Sequence, residues 1–426
     1  TAKTVNNGNT VQVRHTASAN FSTSVSSTLT IGGVIGAFTS TTQANDTTPI
    51  ATLNVKDFGA VGDGETDDTT ALKTAIIKAH NIGKNLYFPD GTYLYQSGMN
   101  AQGVRFIGQS KTGTIIKESS LINEHNLDGA ENITFQNVKI TDYGTSKSRI
   151  FRNCKFEVTL PVDSSFYLFY TGVYTYGADN EFTDCDFIFP HIYTALWIRK
   201  YDSVLIQNCT FNGNASGHNI RLELPNKRNA QVSILGNTIT GGTTGIFIGS
   251  NREIAMEGGL IEGNTLHNQV EEAIAMDGFG NERGLVPVIA NGPIDNVWND
   301  KNGRVVIGMD QMLYRGDTID APSPISLRDD WTNFYFSFGE DSGLDGTIAK
   351  IQSFNADENT LTLDLKTPAS TIKLGGDAGV QGGFFNWIVR GNTVTGTLGY
   401  NNTYGTAISI YLNVFGILVE NNVVSD

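Results

Sequence analysis

The sequence predicts an all-β protein of the solenoid type, in which short strands stack into parallel sheets. Four stretches carry the strongest signal, because each alternates aliphatic residues with other residues, as a half-buried strand does. They are HNIRLELP, TGIFIGSN, EEAIAMD and AISIY, which begin at His218, Thr244, Glu271 and Ala407. Aligned on their aliphatic residues, they form two columns, Ile220, Ile246, Ile274 and Ile408, then Leu222, Ile248, Met276 and Ile410. Short strands that repeat at a period of about 20 to 50 residues are typical of a β-solenoid.

A second repeated motif runs beside these strands. QNCTF, LGNTI, EGNTL, RGNTV and ENNVV align Cys209, Asn237, Asn264, Asn392 and Asn422 at one position. Because an Asn in a tight turn tolerates the left-handed conformation and stacked amides bond to each other, we expect a structural ladder without a catalytic role. Three successive repeats place cysteines there, Cys154, Cys185 and Cys209. We expect a stack of small buried thiols and no metal site, since no histidine or fourth thiol completes a zinc set.

Charge and hydropathy exclude several classes of function. The chain has 426 residues with 29 basic and 43 acidic side chains, and its formal net charge of −14 argues against nucleic-acid binding. No apolar run is long enough to span a bilayer, so we expect no membrane insertion. The sequence starts at Thr1 without a signal peptide, and we expect a processed or excised chain. It stops at Asp426, just after a rung, the name used here for one turn of the solenoid. Because an uncapped solenoid end is an exposed edge, we expect that a C-terminal domain was removed or lost.

Four regions follow along the chain. Residues 1–50 alternate Val11 and Val13, then further apolar residues, with Ser and Thr, which predicts a small β module and a linker. This module resembles the end of immunoglobulin-like modules of phage and bacterial surface proteins. Residues 51–284 are predicted to form a capping helix and solenoid rungs, residues 285–384 a β-rich insertion, and residues 385–426 the final rungs. The insertion is predicted because 27 residues separate Asn237 from Asn264 but 128 separate Asn264 from Asn392.

The run NVKDFGAVGDGETDDTTALKTAIIKAHNIGKNLYFPDGTYLY predicts the helix and the first rung. Asp67 or Asp68 can cap the helix, Gly83 can end it, and its apolar stripe comprises Ala71, Leu72, Ala75, Ile76 and Ala79. An amphipathic helix laid over the open end of a solenoid is a natural cap. This run resembles the opening of the right-handed parallel β-helices of the pectate-lyase superfamily, including phage tailspikes. The resemblance implies that fold, whereas lyases, hydrolases, epimerases and non-enzymatic spikes share the motif.

The candidate site lies on the outward side of the strands. Alternate residues of a strand face opposite sides, so the neighbours of the aliphatic columns point outward. One outward column then contains Arg199, Glu223, Gly249, Asp277 and Tyr411, and the adjacent one Trp197, Arg221, Phe247, Ala275 and Ser409. Glu223 and Asp277 are two rungs apart, which places their backbones ~10 Å from each other at ~4.8 Å per rung. Side chains that lean together over Gly249 fit an inverting glycosidase, whose carboxyl groups are about 6.5–9.5 Å apart.

We therefore expect glycosidic hydrolysis with Glu223 and Asp277 as the carboxyl pair. Glu272 lies ~16 Å from Asp277 along an extended strand and is expected to support the site, with Glu271 as its alternative. The candidate substrate-binding residues are Arg199, Arg221, Trp197, Glu271, His218, Tyr411 and Lys227. Three later aromatic residues either border the groove or form the core of the insertion, namely Trp331, Tyr335 and Trp387. We expect neither a metal nor another cofactor.

Two other chemistries remain open. Basic residues collect near the site, namely Arg199, Lys200, Arg221, Lys227, Arg228 and Arg252, and favour a partly anionic polymer. They also fit a polysaccharide lyase, in which Arg221, Lys227 or Tyr411 would neutralise a uronate or abstract its C5 proton. The third possibility is a non-catalytic adhesin. The resemblance to tailspikes implies a homotrimer in a virion tail that acts on a bacterial capsule or O-antigen, with a secreted or bacterial surface protein as the alternative.

Overall fold

The computed structural model describes most of the chain from residue 52 onwards. The described residues are 11–14, 52–119, 124–141, 148–159, 171–189, 194–213, 217–249, 254–277, 288–314, 322–325, 329–339, 341–397, 399, 405–411 and 414–425. Within these ranges the chain winds through three long parallel sheets, numbered here in the order in which the chain enters them.

The three sheets share one core, and each turn of the solenoid contributes one strand to each sheet. Sheet 1 comprises Thr52–Asn54, Asn85–Phe88, Phe106–Gly108, Gly129–Glu131, Arg149–Arg152, Asp179–Thr183, Ser203–Gln207, Gln231–Leu235, Ala255–Glu262, Gly383–Arg390, Val414–Phe415 and Leu418–Glu420. Sheet 2 comprises Asp63–Asp67, Gly91–Leu94, Thr114–Lys117, Thr134–Gln136, Lys155–Glu157, Asp186–Phe189, Thr210–Gly213, Thr238–Thr240, Thr265–His267, Thr393–Thr395 and Val423–Ser425. Sheet 3 comprises Met99–Ala101, Glu124–Leu127, Lys139–Thr141, Thr171–Tyr176, Thr194–Arg199, His218–Glu223, Thr244–Gly249, Glu272–Asp277, Thr406–Tyr411 and Val11–Arg14.

This architecture confirms the predicted right-handed parallel β-helix. The aliphatic columns face inward, and the strands of sheet 3 align them in the predicted register, with Ile220 beside Ile246 and Ile246 beside Ile274. Aromatic rings stack across rungs in the same core. Phe187 lies 5.0 Å from Phe156 and 4.4 Å from Phe211 between ring centroids. Each rung buries its apolar residues against the rungs on either side, which makes the stack of rungs one continuous core.

The asparagine ladder links successive rungs inside this core. The amide oxygen of Asn264 accepts the backbone N–H and the side-chain N–H of Asn237, and Asn392 and Asn422 continue the pattern. The expected left-handed conformation occurs one residue earlier, as at Asn208 and Gly236. The turn bends at that preceding residue, which leaves the ladder amide free to point along the solenoid axis. The three thiols are buried as expected.

An α-helix, Thr69–Ile82, covers the first rung. It buries Leu72, Ala75, Ile76 and Ala79 and ends at Gly83, whose φ is 63°. Asp67 accepts the backbone N–H of Thr69, whereas the carboxylate of Asp68 accepts the N–H groups of Val61 and Gly62 in the preceding loop. Short 3₁₀ helices span Val55–Phe58, Trp331–Asn333 and Ala369–Thr371. In the described part of the chain no helix is both long and apolar enough to cross a bilayer.

The insertion forms an antiparallel sheet with its own core. Its strands, in spatial order, are Asn296–Asn299, Val305–Gly308, Thr360–Leu363, Ile348–Asn355, Tyr335–Phe338, Asp377–Gln381, Val288–Pro293, Gln311–Tyr314 and Pro322–Pro324. The chain rejoins sheet 1 at Gly383. Trp331 is buried in the insertion core and Trp387 in the solenoid core. Tyr335 stacks on Phe385 of sheet 1, with 3.7 Å between ring centroids. Trp331 therefore belongs to the insertion core, as one of the two alternatives predicted. Trp387 belongs to the solenoid core and Tyr335 to the contact between insertion and solenoid, so neither lies in the core of the insertion.

Strand Val11–Arg14 pairs antiparallel with Thr406–Tyr411, the last parallel strand of sheet 3. The sequence assigned Val11 and Val13 to a separate N-terminal module, and the other residues of that region lie outside the described ones. The strand Thr406–Tyr411 would otherwise present unpaired backbone groups at the edge of sheet 3, and the pairing covers that edge.

Candidate functional site

The outward columns of sheet 3 have the predicted register. Glu223 pairs with Gly249, and Gly249 pairs with Asp277, so the two carboxylates lie on strands separated by one other strand. Arg199 lies beside Glu223 on the other side, and the backbone of Tyr411 lies beside Asp277. At ~4.8 Å per strand this register corresponds to ~10 Å between the backbones of Glu223 and Asp277.

Glu223 is the centre of a network of charged and aromatic groups. Its Oε1 accepts hydrogen bonds from Nε and a terminal nitrogen of Arg221, at 2.9 Å and 2.5 Å. Its Oε2 accepts a hydrogen bond of 3.1 Å from Nε1 of Trp197, and Nε of Arg199 lies 3.7 Å from the same oxygen. The side chain retains 19% exposure. Two guanidinium groups therefore compensate the charge of an ionised Glu223 and fix its orientation.

A column of rings and one cation runs along the solenoid axis beside Glu223. The guanidinium of Arg221 lies 4.6 Å from the ring centroid of Trp197 and 5.5 Å from that of Phe247, on the two neighbouring strands. Tyr174 extends the column by one rung, because its ring meets that of Trp197 edge to face at 5.2 Å. Cation–π contacts stabilise this arrangement, and Arg199 adds another, with its guanidinium 5.3 Å from the Trp197 ring centroid. Tyr174 was missed in the sequence, although TGVYTY alternates as the later strands do.

His218 begins the strand that contains Arg221 and Glu223. Its ring packs edge to face against Phe247 at 4.9 Å. Burial, and secondarily the positive charge of Arg221, lower the pKa of His218 from 6.5 to about 4. The imidazole is therefore neutral near pH 7. A base with this low pKa accepts protons poorly at that pH.

The space over Gly249 is narrower than the sequence implied. A Cβ at this position would lie 3.0 Å from the Phe247 ring and 3.5 Å from Cγ of Glu223. The ring of Phe247 therefore covers part of the floor between Glu223 and Asp277, and the glycine leaves room for that ring. A larger residue at position 249 would project into the same space.

Glu272 and Glu271 occupy different positions. Glu272 aligns with Thr244 and His218, and Oγ1 of Thr244 donates a hydrogen bond of 3.4 Å to its carboxylate. Glu271 precedes the strand and is exposed. Of the two alternatives, Glu272 thus belongs to the strand, at the opposite end from Asp277, and its side chain is half-buried.

The remaining predicted residues lie around this centre or outside it. Lys227 follows the strand of Glu223 and approaches Asp202 at 3.9 Å, with nearly half of its side chain exposed. Arg228, which the sequence grouped with the basic residues of the site, contacts Glu257 and the insertion instead. Arg252 and the side chain of Tyr411 lie outside the described part. Across the described residues, no three His, Cys, Asp or Glu side chains converge as a metal site would require.

The described part of this face combines aromatic rings, guanidinium groups and carboxylates. The half-buried rings of Tyr174, Trp197 and Phe247 are of a kind that stacks against the apolar faces of sugars, and Arg199 and Arg221 supply hydrogen-bond donors. Glu223 and Asp277 lie along the same line, on strands that also contain those residues.

Curated relatives match short segments of the chain. Alginate lyase 7 of Azotobacter vinelandii is 42% identical over 73 residues, which cover 15% of this chain and 8% of that protein. Plasmin and fibronectin-binding protein A of Streptococcus pneumoniae (strain ATCC BAA-255 / R6) is 35% identical over 94 residues, which cover 22% of this chain and 12% of that protein. The chain thus spans only a small part of the length of these relatives.

Solved structures and a family profile match longer parts. The Dettilon tailspike protein aligns over 77% of this chain and 93% of its own, with 10% sequence identity and a TM-score of 0.26. The sequence profile of the family described as rhamnogalacturonase A/epimerase, pectate lyase-like, matches residues 52–274, which is more than half of the chain. The stacked parallel rungs and this match together show that the chain belongs to the rhamnogalacturonase A/epimerase, pectate lyase-like family.

Proposed function

We propose that this protein binds a bacterial surface polysaccharide along the outward face of sheet 3 and cuts it by hydrolysis of glycosidic bonds. The observation that carries the proposal is the alignment of Glu223, Gly249 and Asp277 across three adjacent strands. This alignment is consistent with two carboxyl groups that act from either side of Gly249. They lie next to a column of rings and arginines that can hold a sugar chain. Family membership supports a protein that acts on polysaccharides.

The surroundings of Glu223 support a division of roles between the two carboxyl groups. An inverting hydrolase needs one ionised carboxylate to activate water and one protonated carboxyl to protonate the leaving oxygen. Arg221 and Arg199 compensate the negative charge of Glu223, which favours Glu223 as the general base. Asp277 is then the general acid, and Glu272 binds substrate or orients neighbouring groups.

The same contacts favour one second candidate, a polysaccharide-binding protein without catalysis. Both carboxylate oxygens of Glu223 already accept hydrogen bonds, from Arg221 and from Trp197. A carboxylate that only fixes two arginines would serve binding and no chemistry. The similarity to the pneumococcal plasmin and fibronectin-binding protein is compatible with a binding role.

The biological setting belongs to the same proposal. A phage or prophage tailspike, assembled as a homotrimer in the virion tail, would present sheet 3 to a capsule or an O-antigen. A secreted or surface-associated bacterial protein would present the same face outside the cell.

Digestion of a panel of capsules and O-antigens tests the proposal. A hydrolase produces saturated oligosaccharides with new reducing ends. A lyase produces unsaturated uronate ends that absorb ultraviolet light, and this result would replace hydrolysis by β-elimination. If a polysaccharide binds and remains intact, the protein is an adhesin; if none in the panel binds, the proposal fails.

A further inference from the structure

A cluster of side chains fixes the insertion to the solenoid and takes no part in the proposed chemistry. We call Arg228, Glu257, Tyr335 and Lys350 the docking cluster. Oε2 of Glu257 lies 3.2 Å from Nε of Arg228 and 2.7 Å from Nζ of Lys350. Arg228 and Glu257 belong to the solenoid, whereas Lys350 belongs to the insertion strand Ile348–Asn355. One carboxylate therefore joins two cations from different parts of the fold.

Arg228 makes further contacts with the insertion. It donates hydrogen bonds to the backbone oxygens of Phe334 and Ile351, at 3.3 Å and 3.1 Å. Its guanidinium lies 5.7 Å from the ring centroid of Tyr335. Burial and the nearby charge of Glu257 raise the pKa of Tyr335, so its hydroxyl stays protonated and uncharged beside the carboxylate. These contacts depend on the orientation of the Arg228 side chain.

Stacked rings extend the docking along the solenoid axis. Tyr335 stacks on Phe385 with an interplanar angle of 5°, and Phe385 stacks on Phe415 one rung further, with 4.9 Å between centroids. The insertion is thereby held along several successive rungs. Its orientation relative to the solenoid follows from both the ion pairs and this ring stack.

The docking cluster lies at the edge of the proposed groove. Arg228 is five residues after Glu223, in the corner where the chain leaves sheet 3 for sheet 1. The chain leaves sheet 3 for the insertion after Asp277, at the same edge. The column of Glu223, Gly249 and Asp277 forms the last position of each strand, so this edge is where the column meets the corner.

We propose that the insertion forms one wall of the groove and that Glu257 is the positioning residue that holds this wall in place. The proposal rests on the polysaccharide-binding function proposed above. Without the charge of Glu257, Arg228 and Lys350 become two neighbouring cations without their shared carboxylate, and they repel each other. The hydrogen bonds from Arg228 to Phe334 and Ile351 then weaken, and the wall moves relative to Glu223 and Asp277.

Glu257→Gln tests this role against a matched control on the same strand. Glu262 accepts two hydrogen bonds from Arg390, at 2.9 Å and 3.1 Å, and both residues belong to sheet 1 of the solenoid. Glu262→Gln therefore removes an ion pair from the same strand whose partner, Arg390, lies in the solenoid and not in the insertion. Hydrogen exchange of strand Tyr335–Phe338 in the protein alone measures docking, and kcat and KM on a polysaccharide measure the groove.

For Glu257→Gln we expect exchange of Tyr335–Phe338 to become about tenfold faster and KM to rise about tenfold, with kcat within about twofold. Glu262→Gln should change none of these, and Glu257→Asp should recover part of the loss. For a polysaccharide that is bound without being cut, Kd replaces KM.

Unchanged exchange in Glu257→Gln would overturn the docking role. Faster exchange with unchanged KM or Kd would overturn the role of the insertion as a wall. If the wild-type protein neither binds nor cuts any polysaccharide, both the proposed function and the role of the insertion as a wall are overturned. The exchange measurement still decides, independently, whether Glu257 docks the insertion.

Discussion

Replacing Asn264 by alanine should destabilise the solenoid more than most single substitutions do. The Asn264 side chain is fully buried and makes four hydrogen bonds that alanine cannot replace. It accepts the backbone N–H of Asn237 at 2.9 Å and its side-chain N–H at 2.8 Å, and it donates to the backbone oxygen of Ile234 and to the amide oxygen of Asn392, both at 2.9 Å. The Asn237 side chain keeps two bonds, to the oxygen of Ile206 and from the backbone N–H of Cys209.

The size of the effect follows from the groups that lose a partner. The backbone N–H of Asn237 and the oxygen of Ile234 each lose a bond in a buried setting, while the side-chain NH2 of Asn237 and the amide oxygen of Asn392 each lose one of two bonds. Each buried unsatisfied group costs about 1–3 kcal/mol, so from the first two groups we expect a loss of about 2–6 kcal/mol in the free energy of unfolding.

Urea unfolding, followed both by circular dichroism and by tryptophan fluorescence, measures this loss. Trp387 is buried on the rung next to Asn264 and reports on the same region. Thr265→Ala is the control, because Thr265 is exposed and adjacent and should change stability by no more than about 0.5 kcal/mol. A loss below about 1 kcal/mol for Asn264→Ala would refute the structural role of the ladder.

Three predictions concern the site. Trp197→Ala should weaken polysaccharide binding about tenfold in titration calorimetry, because it removes a ring surface and a hydrogen bond to Glu223. The control is Trp298→Ala on the exposed edge of the insertion, which should leave the affinity unchanged. Gly249→Leu should fold normally by circular dichroism, yet its affinity for the polysaccharide should fall at least about tenfold, since the leucine side chain enters the groove. Thr238→Leu, at an exposed position of sheet 2, is its control and should bind as the wild type does. The lowered pKa of His218 predicts that stability is fully present above pH 6.5 and falls between pH 6.5 and about 4, because the unfolded state binds the proton first. In His218→Gln, melting temperatures measured across that range should fall less steeply than in the wild type, and parallel curves would contradict the assignment.

The repeat pattern was sufficient to predict the solenoid, because the inward aliphatic residues and the ladder position recur in successive rungs. The same periodicity predicted that Glu223, Gly249 and Asp277 share a column, since strand register follows directly from the aligned apolar residues. The capping helix was equally accessible through its apolar stripe and Gly83. These features are local or periodic, and both kinds are readable in a single sequence.

Contacts between distant segments could not be predicted in this way. The ion pairs of Glu257 join residues about 30 and 90 positions away in the chain, and no repeat signals them. The bonds between Arg221, Trp197 and Glu223 depend on rotamers, which register alone leaves open. For the same reason the sequence placed Arg228 at the groove, whereas its side chain turns to the insertion.

The central claim is that Glu223 and Asp277 cut a polysaccharide on the outward face of sheet 3. Its most direct test measures new reducing ends released by the wild type, Glu223→Gln and Asp277→Asn from a polysaccharide that the wild type degrades. Each variant should remain folded by circular dichroism and lose at least about a hundredfold in rate, the lower range for removal of a general acid or base. Full activity in both variants would contradict the claim.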